Sequence, residues 1–338
     1  MLAQPSLDRG ITVEEVVKAV AKLKRGKVPG VDDIITEWLI YGGDEMTKAL
    51  WLIVSTAWEL EATPAEWSKG LIFPIYKDGD PRDPLNYRGI TLLSVVAKVY
   101  ASIINVRMMK WLEQQQSITD EQGGFRSRRG PPEQIFILEE VLKLRSGQLT
   151  HACFIDNKKA FDSEYRKGIW KRMWDIGIRG KMYRVVQEMY SSVQSCVLVG
   201  EARSEWFDLL SGVRQGCPLS PTLYNIFIDG LSRELKALGL GLPVDEGERL
   251  CVLLFADDIL ILAEGAHDLC RLMDVVWAYC DKWRFELSPT KTQQMVFGST
   301  DELCNDPPTD SDEEVVTQTD DYKYLGLLFQ RERGLRVQ

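Results

Sequence analysis

The chain is expected to be α+β, with helices first and then strands and interleaved helices built on an antiparallel sheet. Three observations predict this. The first third reads at helical periods; HACFID, residues 151–156, alternates from face to face; and CVLLFADDILILA, residues 251–263, is two short apolar runs about a pair of aspartates, followed by a helix-length segment and further strand-like runs. At 338 residues, 45% hydrophobic and 27% charged, the composition is that of an ordinary globular protein rather than a disordered one.

The elements follow in order. Thr12-Val-Glu-Glu15 has capping-box spacing and opens an amphipathic helix through Leu23, with Val13, Val16, Val17, Val20 and Leu23 at helical intervals; Gly26 ends it. A second helix is expected over residues 44–60. GLIFPIYKDGDPRDPLNYRGITLL, residues 70–93, reads as a strand, a turn-rich loop punctuated by Gly79, Pro81 and Pro84, and a returning strand. Helices follow over residues 93–116 and 133–145, separated by the Gly- and Arg-rich loop QGGFRSRRGPPEQ. HACFID is then a strand whose alternation delivers Asp156 at its C-terminal end. A helix over residues 162–177, a hairpin-like pair around SCVLVG and EWFDLLSG, and a helix opened by Ser220-Pro221 and stopped at Gly239 come next. The two runs about the aspartates, a helix over residues 268–283, the strand pair FEL and TQQMVFG, and YKYLGLLF as a last strand complete the series.

Several classes are excluded or narrowed. No apolar run reaches the roughly 18 residues of a membrane span, and residues 1–10 lack a basic start and apolar stretch, so an intracellular chain with no membrane partner is expected. Seven cysteines without a CxxC pair fit reduced thiols, and with only His151 and His267 available any metal chemistry must rely on oxygen ligands. The net charge of -9 is segregated: residues 306–321 hold seven Asp or Glu and no Lys or Arg, and without them the balance is about -2. Residues 69–110, with Lys77, Arg82, Arg88, Lys98 and Arg107, and residues 158–184, with nine Lys or Arg, are basic. A solvated helix face is the competing explanation for each.

Asp257 and Asp258 pose the sharpest question. Two-residue turns favour Asn-Gly or Asp-Gly, because both central positions commonly need positive φ, and an Asp-Asp pair supplies this poorly. Like charges a few Å apart also repel by about 1 kcal/mol in water and several-fold more beside low-dielectric protein. A cation is expected there, and Asp156 brought alongside would complete a hard-oxygen set suited to Mg²⁺.

FIDNKKAFD, GVRQGCPLSP, FADD, LSPTKT and YKYLG, preceded by NYRGITLL and EQGGFRSRRG, occur in the order and near the spacing of the reverse transcriptases of non-LTR, LINE-type retrotransposons, which the chain resembles from about residue 26 to 329. The resemblance implies a right-hand polymerase fold of fingers and antiparallel palm, with the thumb largely absent. It implies RNA-directed DNA synthesis by two Mg²⁺ ions, with Mn²⁺ as an alternative, on an RNA template, a DNA primer and dNTP. Asp156, Asp257 and Asp258 would be the metal ligands, and Lys291 would assist proton delivery to pyrophosphate. Lys77 and Arg88 would contact the triphosphate, Phe161 would reject a 2′-hydroxyl, and Gln215 and Gly216 would meet the nucleotide and template base. Arg126 and Arg128 would contact the template backbone, and Tyr324, Leu325 and Gly326 would form the primer grip. Taken singly, each has a plainer explanation: core packing for Phe161 and Tyr324, a tight turn for Gly216, surface charge for Lys291.

The implied division is an N-terminal helical extension over residues 1–45, fingers over 46–149, palm over 150–300 with a fingers-proximal helix at 162–177, and an acidic loop, primer-grip strand and thumb start over 301–338. Endonuclease, thumb and zinc-knuckle segments are expected to be supplied elsewhere, and the nucleus is implied by the resemblance alone. Asn157 and Ser288 depart from the family pattern without removing a metal ligand. A remnant that binds nucleic acid without polymerising, and a palm-type cyclase or phosphohydrolase, are the competing readings; the last needs neither the basic fingers segment nor the VRQG loop.

Overall fold

The computed structural model describes residues 5–157, 164–245, 247–288, 291–298, 316–332 and 334–335. The chain divides into two compact units, Met1–Ser117 with Arg166–Leu223, and Ile118–Tyr165 with Tyr224–Gln338.

The first unit opens with a short helix, α1 (Pro5–Asp8), and α2 (Val13–Val20), whose Thr12 and Glu15 form the expected reciprocal capping box. Helices α3 (Thr36–Tyr41) and α4 (Gly43–Leu60) follow. Strands β1 (Lys69–Tyr76) and β2 (Tyr87–Leu93) pair antiparallel from Gly70 opposite Leu93 to Tyr76 opposite Tyr87. Ser94 then caps α5 (Val95–Gln114), its hydroxyl accepting from the Ala97 N–H at 3.3 Å. That helix has no single apolar stripe; Val99, Tyr100, Ile104 and Met108 are wholly buried among their neighbours, as expected of a central helix. Later come two helices over residues 166–175 and 180–188, and β4 (Gln194–Val199), which joins β1 in parallel and carries the short strands β5 (Ala202–Arg203) and β6 (Phe207–Asp208) antiparallel. The parallel β1–β4 pairing has no local sequence signature.

The second unit contains α6 (Pro131–Leu144) and β3 (Thr150–Asp156). The described part of the helix expected at 162–177 is α7 (Arg166–Asp175), which with α8 (Gly180–Glu188) belongs to the first unit. Helix α9 (Ser220–Lys236) begins in the first unit and continues in the second. The small hairpin β7 (Leu242–Asp245) and β8 (Glu248–Leu250) precedes β9 (Val252–Phe255), β10 (Asp258–Ala263), α10 (Ala266–Trp283) and β11 (Gln293–Phe297). The main sheet has the order β12-β11-β3-β10-β9, antiparallel throughout except that the two-residue β12 (Thr317–Gln318) lies parallel to β11. Strand β3 is central, with Ala152, Cys153, Phe154 and Ile155 all at 1% exposure or less, so its flanks are covered on both faces.

Two expected strands differ. FEL, residues 285–287, forms only an isolated bridge between Leu287 and Asn157: the Phe285 N–H donates to Cys280 O at the end of the preceding helix, and the chain passes directly into Ser288, whose N–H donates to Asp156 O. YKYLGLLF is a hairpin, β13 (Asp321–Tyr324) and β14 (Leu327–Gln330), with β15 (Gly334–Leu335) beyond it. Leu325 and Gly326 occupy its two-residue turn with φ of 48° and 90°, so the positive φ required at both positions is met by a Leu-Gly pair that lacks the usual Asn or Asp signal. The hairpin is anchored by Tyr322 stacked on Phe154 at 4.1 Å and by Tyr324 and Phe329 in the same core. The six described cysteines are free thiols, and no described helix is long and apolar enough to cross a membrane.

Candidate active site

The sheet brings two carboxylates to one end of adjacent strands. Asp258, the first residue of β10, stands opposite Asp156, the last of β3, in the antiparallel register. Asp258 also pairs with Phe255, which leaves Ala256 and Asp257 as the two turn residues. The aspartate pair therefore does not fill the turn. The positive φ falls on Ala256 alone, at 55°, in the pattern of a type II′ turn, and Asp257 occupies the second position without that strain.

Crowding of like charge is visible at Asp258. Burial, then the charges of Asp257 and Asp156, push its carboxyl up to about 6. The same field reaches the β13–β14 hairpin: burial, followed by the charges of Asp258 and Asp156, raises the Tyr322 hydroxyl to about 12. One cation is already close, since Lys291 Nζ lies 3.5 Å from Asp156 Oδ2. Its position follows from the backbone: Ser288 N–H donates to Asp156 O at 2.8 Å, and Ser288 O accepts from the N–H groups of Lys291 and Thr292. Beside Asp156, buried Asn157 donates from Nδ2 to Tyr224 Oη at 3.4 Å. Among the described residues no group of three or more His, Cys, Asp or Glu side chains is disposed to hold a metal ion. The donor set nonetheless fits one chemically, because carboxylates whose burial and mutual charge raise Asp258 to about 6 are relieved by a hard divalent cation with oxygen preference.

In the first unit, Lys77 and Arg88 sit on the β1–β2 hairpin. Arg88 stands opposite Ile75, and the ladder continues with the Lys77 N–H donating to Asn86 O, so pleat alternation puts both cations on one face. Both are exposed, and neither forms an ion pair with another described residue. Gln215 is half-buried and Gly216 exposed in the loop before α9. Gly216 has φ +89°, and a Cβ there would lie 2.9 Å from Thr91 O on β2, so both its conformation and its closeness to the hairpin require glycine. The residue that sequence reasoning missed is the neighbouring Arg214. Its guanidinium is buried and donates to Trp67 O and Lys69 O at 2.6 and 3.3 Å, while Ser220 Oγ donates to Arg214 O rather than capping α9.

The remaining sites separate by exposure. Arg126 is buried, donating from Nη1 to Thr119 O at 2.7 Å and Gln122 O at 3.2 Å, whereas Arg128 is exposed in a left-handed conformation. Tyr324 is 2% exposed and belongs to the core; Leu325 and Gly326 present the turn beside it. Phe161 lies outside the described residues. Among the described cations of the basic run over residues 158–184, Lys171 pairs with Asp175, Lys181 with Glu59 and Arg184 with Glu61, while Arg166 donates to the carbonyls of Gly212, Tyr190 and Ser211.

Residues 75–329 match the sequence family described as reverse transcriptase (RNA-dependent DNA polymerase). The chain is similar to the RNA-directed DNA polymerase from mobile element jockey of Drosophila funebris, 28% identical across 96% of this chain and 36% of that protein. It is similar to the probable RNA-directed DNA polymerase from transposon BS of Drosophila melanogaster, 27% identical across 94% of this chain and 35% of that protein. The chain thus spans little more than a third of the length of these relatives. Among solved structures, telomerase from Candida Tropicalis in complex with a TWJ fragment of telomeric RNA superposes with a TM-score of 0.55 at 12% identity, over 89% of this chain and 53% of that one, which shows a shared right-hand polymerase fold. Since the family match takes in the carboxylate-bearing hairpin, the cationic β-hairpin and the loop before α9, the chain belongs to the reverse transcriptase family.

Proposed function

We propose that this chain is the RNA-directed DNA polymerase core of a non-LTR retroelement, extending a DNA 3′-hydroxyl with dNTPs on an RNA template. The chemistry of the family is divalent-metal dependent. The observation that supports the reading is the cross-strand register of Asp156 and Asp258 with Asp257 at the adjoining turn, an arrangement whose mutual repulsion is useful only if a cation is to be held.

The three aspartates would hold two Mg²⁺ ions, or Mn²⁺ in their place, which when bound activate the attacking hydroxyl and neutralise charge on the triphosphate. The chain's own residues then have separable tasks. Lys291, beside Asp156, holds a proton at Nζ for the departing pyrophosphate. Lys77 and Arg88 bind triphosphate oxygens from one face of their hairpin. Gln215 and Gly216 orient the nucleotide and template base on a loop that Arg214 fastens to β1. Phe161 excludes a 2′-hydroxyl. Arg128 contacts the template backbone, with Arg126 supporting its loop from within, and the Leu325–Gly326 turn on its Tyr324 anchor steadies the primer end. In this reading residues 46–149 are fingers, 150–300 palm and 301–338 the primer grip and start of the thumb. Nuclear residence would accompany synthesis at a chromosomal target.

Primer extension on a primed RNA template with Mg²⁺ and dNTPs tests the proposal. The chain should extend the primer, and Asp257→Ala should lower the rate by about 10³-fold or more. Failure of the intact chain to extend, or extension that Asp257→Ala leaves unchanged, overturns it.

A further inference from the structure

The loop over residues 119–126 is held from two sides within the second unit. One side is a polar stripe along α9 at helical spacing. Asn225 Nδ2 donates to Gly124 O at 2.7 Å, Asp229 Oδ1 accepts from the Thr119 N–H at 2.6 Å, Thr119 Oγ1 donates to Ser232 Oγ at 3.0 Å, and Lys236 pairs with Glu121. The other side is the outer edge of the main sheet, where the Gly123 N–H donates to Leu254 O at 2.8 Å and the Leu254 N–H to Glu121 O at 2.9 Å. Gln122 is wholly buried between them, and its Oε1 accepts from the Gly124 N–H at 2.7 Å. The loop thus caps the open edge of β9, one residue before the turn that carries Asp257.

Gly124 makes the decisive contact. A Cβ added there would lie 2.2 Å from Ala256 N, a distance that side chains essentially never show, and 3.0 Å from both Ala256 Cα and Gln122 Oε1. Its φ is not left-handed, so the obstacle to a side chain is the close approach of its neighbours, above all the Ala256 backbone. Ala256 is itself held at φ 55°, a conformation alanine enters at a cost and keeps only where its surroundings impose it.

We propose that Gly124 and Asn225 are positioning residues for Asp257: the α9 stripe presses the Gly124 backbone against Ala256, and that contact sets the turn and hence the place of the Asp257 carboxylate. The proposal rests on the reading of Asp257 as a metal ligand. Its consequence is that the hairpin is positioned by a loop distant in sequence rather than by its own turn residues, which are poor ones for the purpose.

Mn²⁺ binding to the full chain by electron paramagnetic resonance, hydrogen–deuterium exchange at residues 253–259, and steady-state primer extension test this in Gly124→Ala, Asn225→Ala and a control, Gly147→Ala. Gly147 has φ +82° with nothing within 4 Å of an added Cβ, so the control strains a backbone in the same unit without touching the turn. Gly124→Ala should weaken Mn²⁺ binding about 10-fold, accelerate exchange at the hairpin, and lower kcat by about 10- to 100-fold with KM for dNTP within about twofold. Asn225→Ala should move all three in the same direction by less, which keeps the test alive should Gly124→Ala not fold. The control should leave the hairpin exchange and Mn²⁺ affinity at wild-type values. Wild-type exchange and Mn²⁺ affinity in both variants, or changes that Gly147→Ala reproduces, overturn the proposal. Should the wild-type chain bind no Mn²⁺ or extend no primer, the polymerase reading fails, and hairpin exchange alone still decides whether Gly124 sets the turn.

Discussion

Arg107 shows how far a residue's place in a run of charge misleads about its task. It falls in the basic segment over residues 69–110, yet its side chain is 3% exposed and its guanidinium donates to both Glu15 oxygens at 2.8 and 2.7 Å and to the carbonyls of Arg9 and Gly10, with Trp58 beneath it at 5.1 Å. Burial alone would raise the Glu15 carboxyl, but the Arg107 and Thr12 hydrogen bonds and the Arg107 and Arg9 charges outweigh it and bring the group down to about 2. A depressed folded value means that the stabilisation is complete above the unfolded value and is lost as pH falls from about 5 towards 2. Allowing for the partial exposure of Glu15, it contributes on the order of 2–3 kcal/mol at neutral pH. Arg107→Met should therefore cost about 3 kcal/mol in urea unfolding at pH 7 and flatten the acid limb of stability in that window. An acid limb unchanged from wild type would refute the assignment. Arg126 teaches the same lesson: in GGFRSRRG nothing in the letters separates an inward arginine from the outward Arg128, because burial depends on what the loop packs against.

At the scale of elements, local chemistry was legible wherever the determinant was local. The Thr12–Glu15 capping box and the HACFID strand ending at Asp156 stand as the sequence implies, although that strand is buried on both faces, and the helix expected at Ser220 begins there while the Ser220 hydroxyl donates to Arg214 O. What was not legible depends on distant partners. The β1–β4 parallel pair, the surrender of FEL to a loop against Asp156, and the fold of YKYLGLLF into a hairpin are each set by tertiary contacts. The two hairpin turns share a feature: Ala256–Asp257 and Leu325–Gly326 both lack Asn-Gly chemistry, and each carries a non-glycine residue at positive φ in its first position. At the second, Gly326 carries φ +90° and its neighbours Tyr324 and Phe329 are core residues, so the turn is coupled to global stability. Gly326→Val should cost about 1–2 kcal/mol and lower the melting temperature, whereas the same change at a flexible exposed position would not register. Calorimetry that finds no loss would show that the hairpin unfolds independently of the sheet.

For the whole molecule, a net charge of -9 bears on the proposed nucleic-acid substrates through the way the cations are sorted rather than through their number. Of the two basic runs, Arg82, Arg107, Lys171, Lys181 and Arg184 are committed to carboxylates, Lys98 is half-buried with its ammonium held below the usual range by that burial, and Lys77 and Arg88 stay exposed without a carboxylate partner among the described residues. A cation already neutralised by a protein carboxylate releases few counterions when it meets a phosphate, so the runs should contribute unequally to the salt dependence of binding. Lys77→Ala and Arg88→Ala should each reduce the slope of log K against log salt by about 0.7 for a single-stranded template, and Arg128→Ala should do likewise. Lys181→Ala and Arg184→Ala should leave the slope unchanged while exposing Glu59 and Glu61, and Arg126→Met should lower stability without moving it. Fluorescence anisotropy between 50 and 200 mM salt measures these slopes, and equal losses across the two sets would mean that nucleic acid engages the α8 face and displaces its carboxylates, reversing the assignment of which surface meets the template.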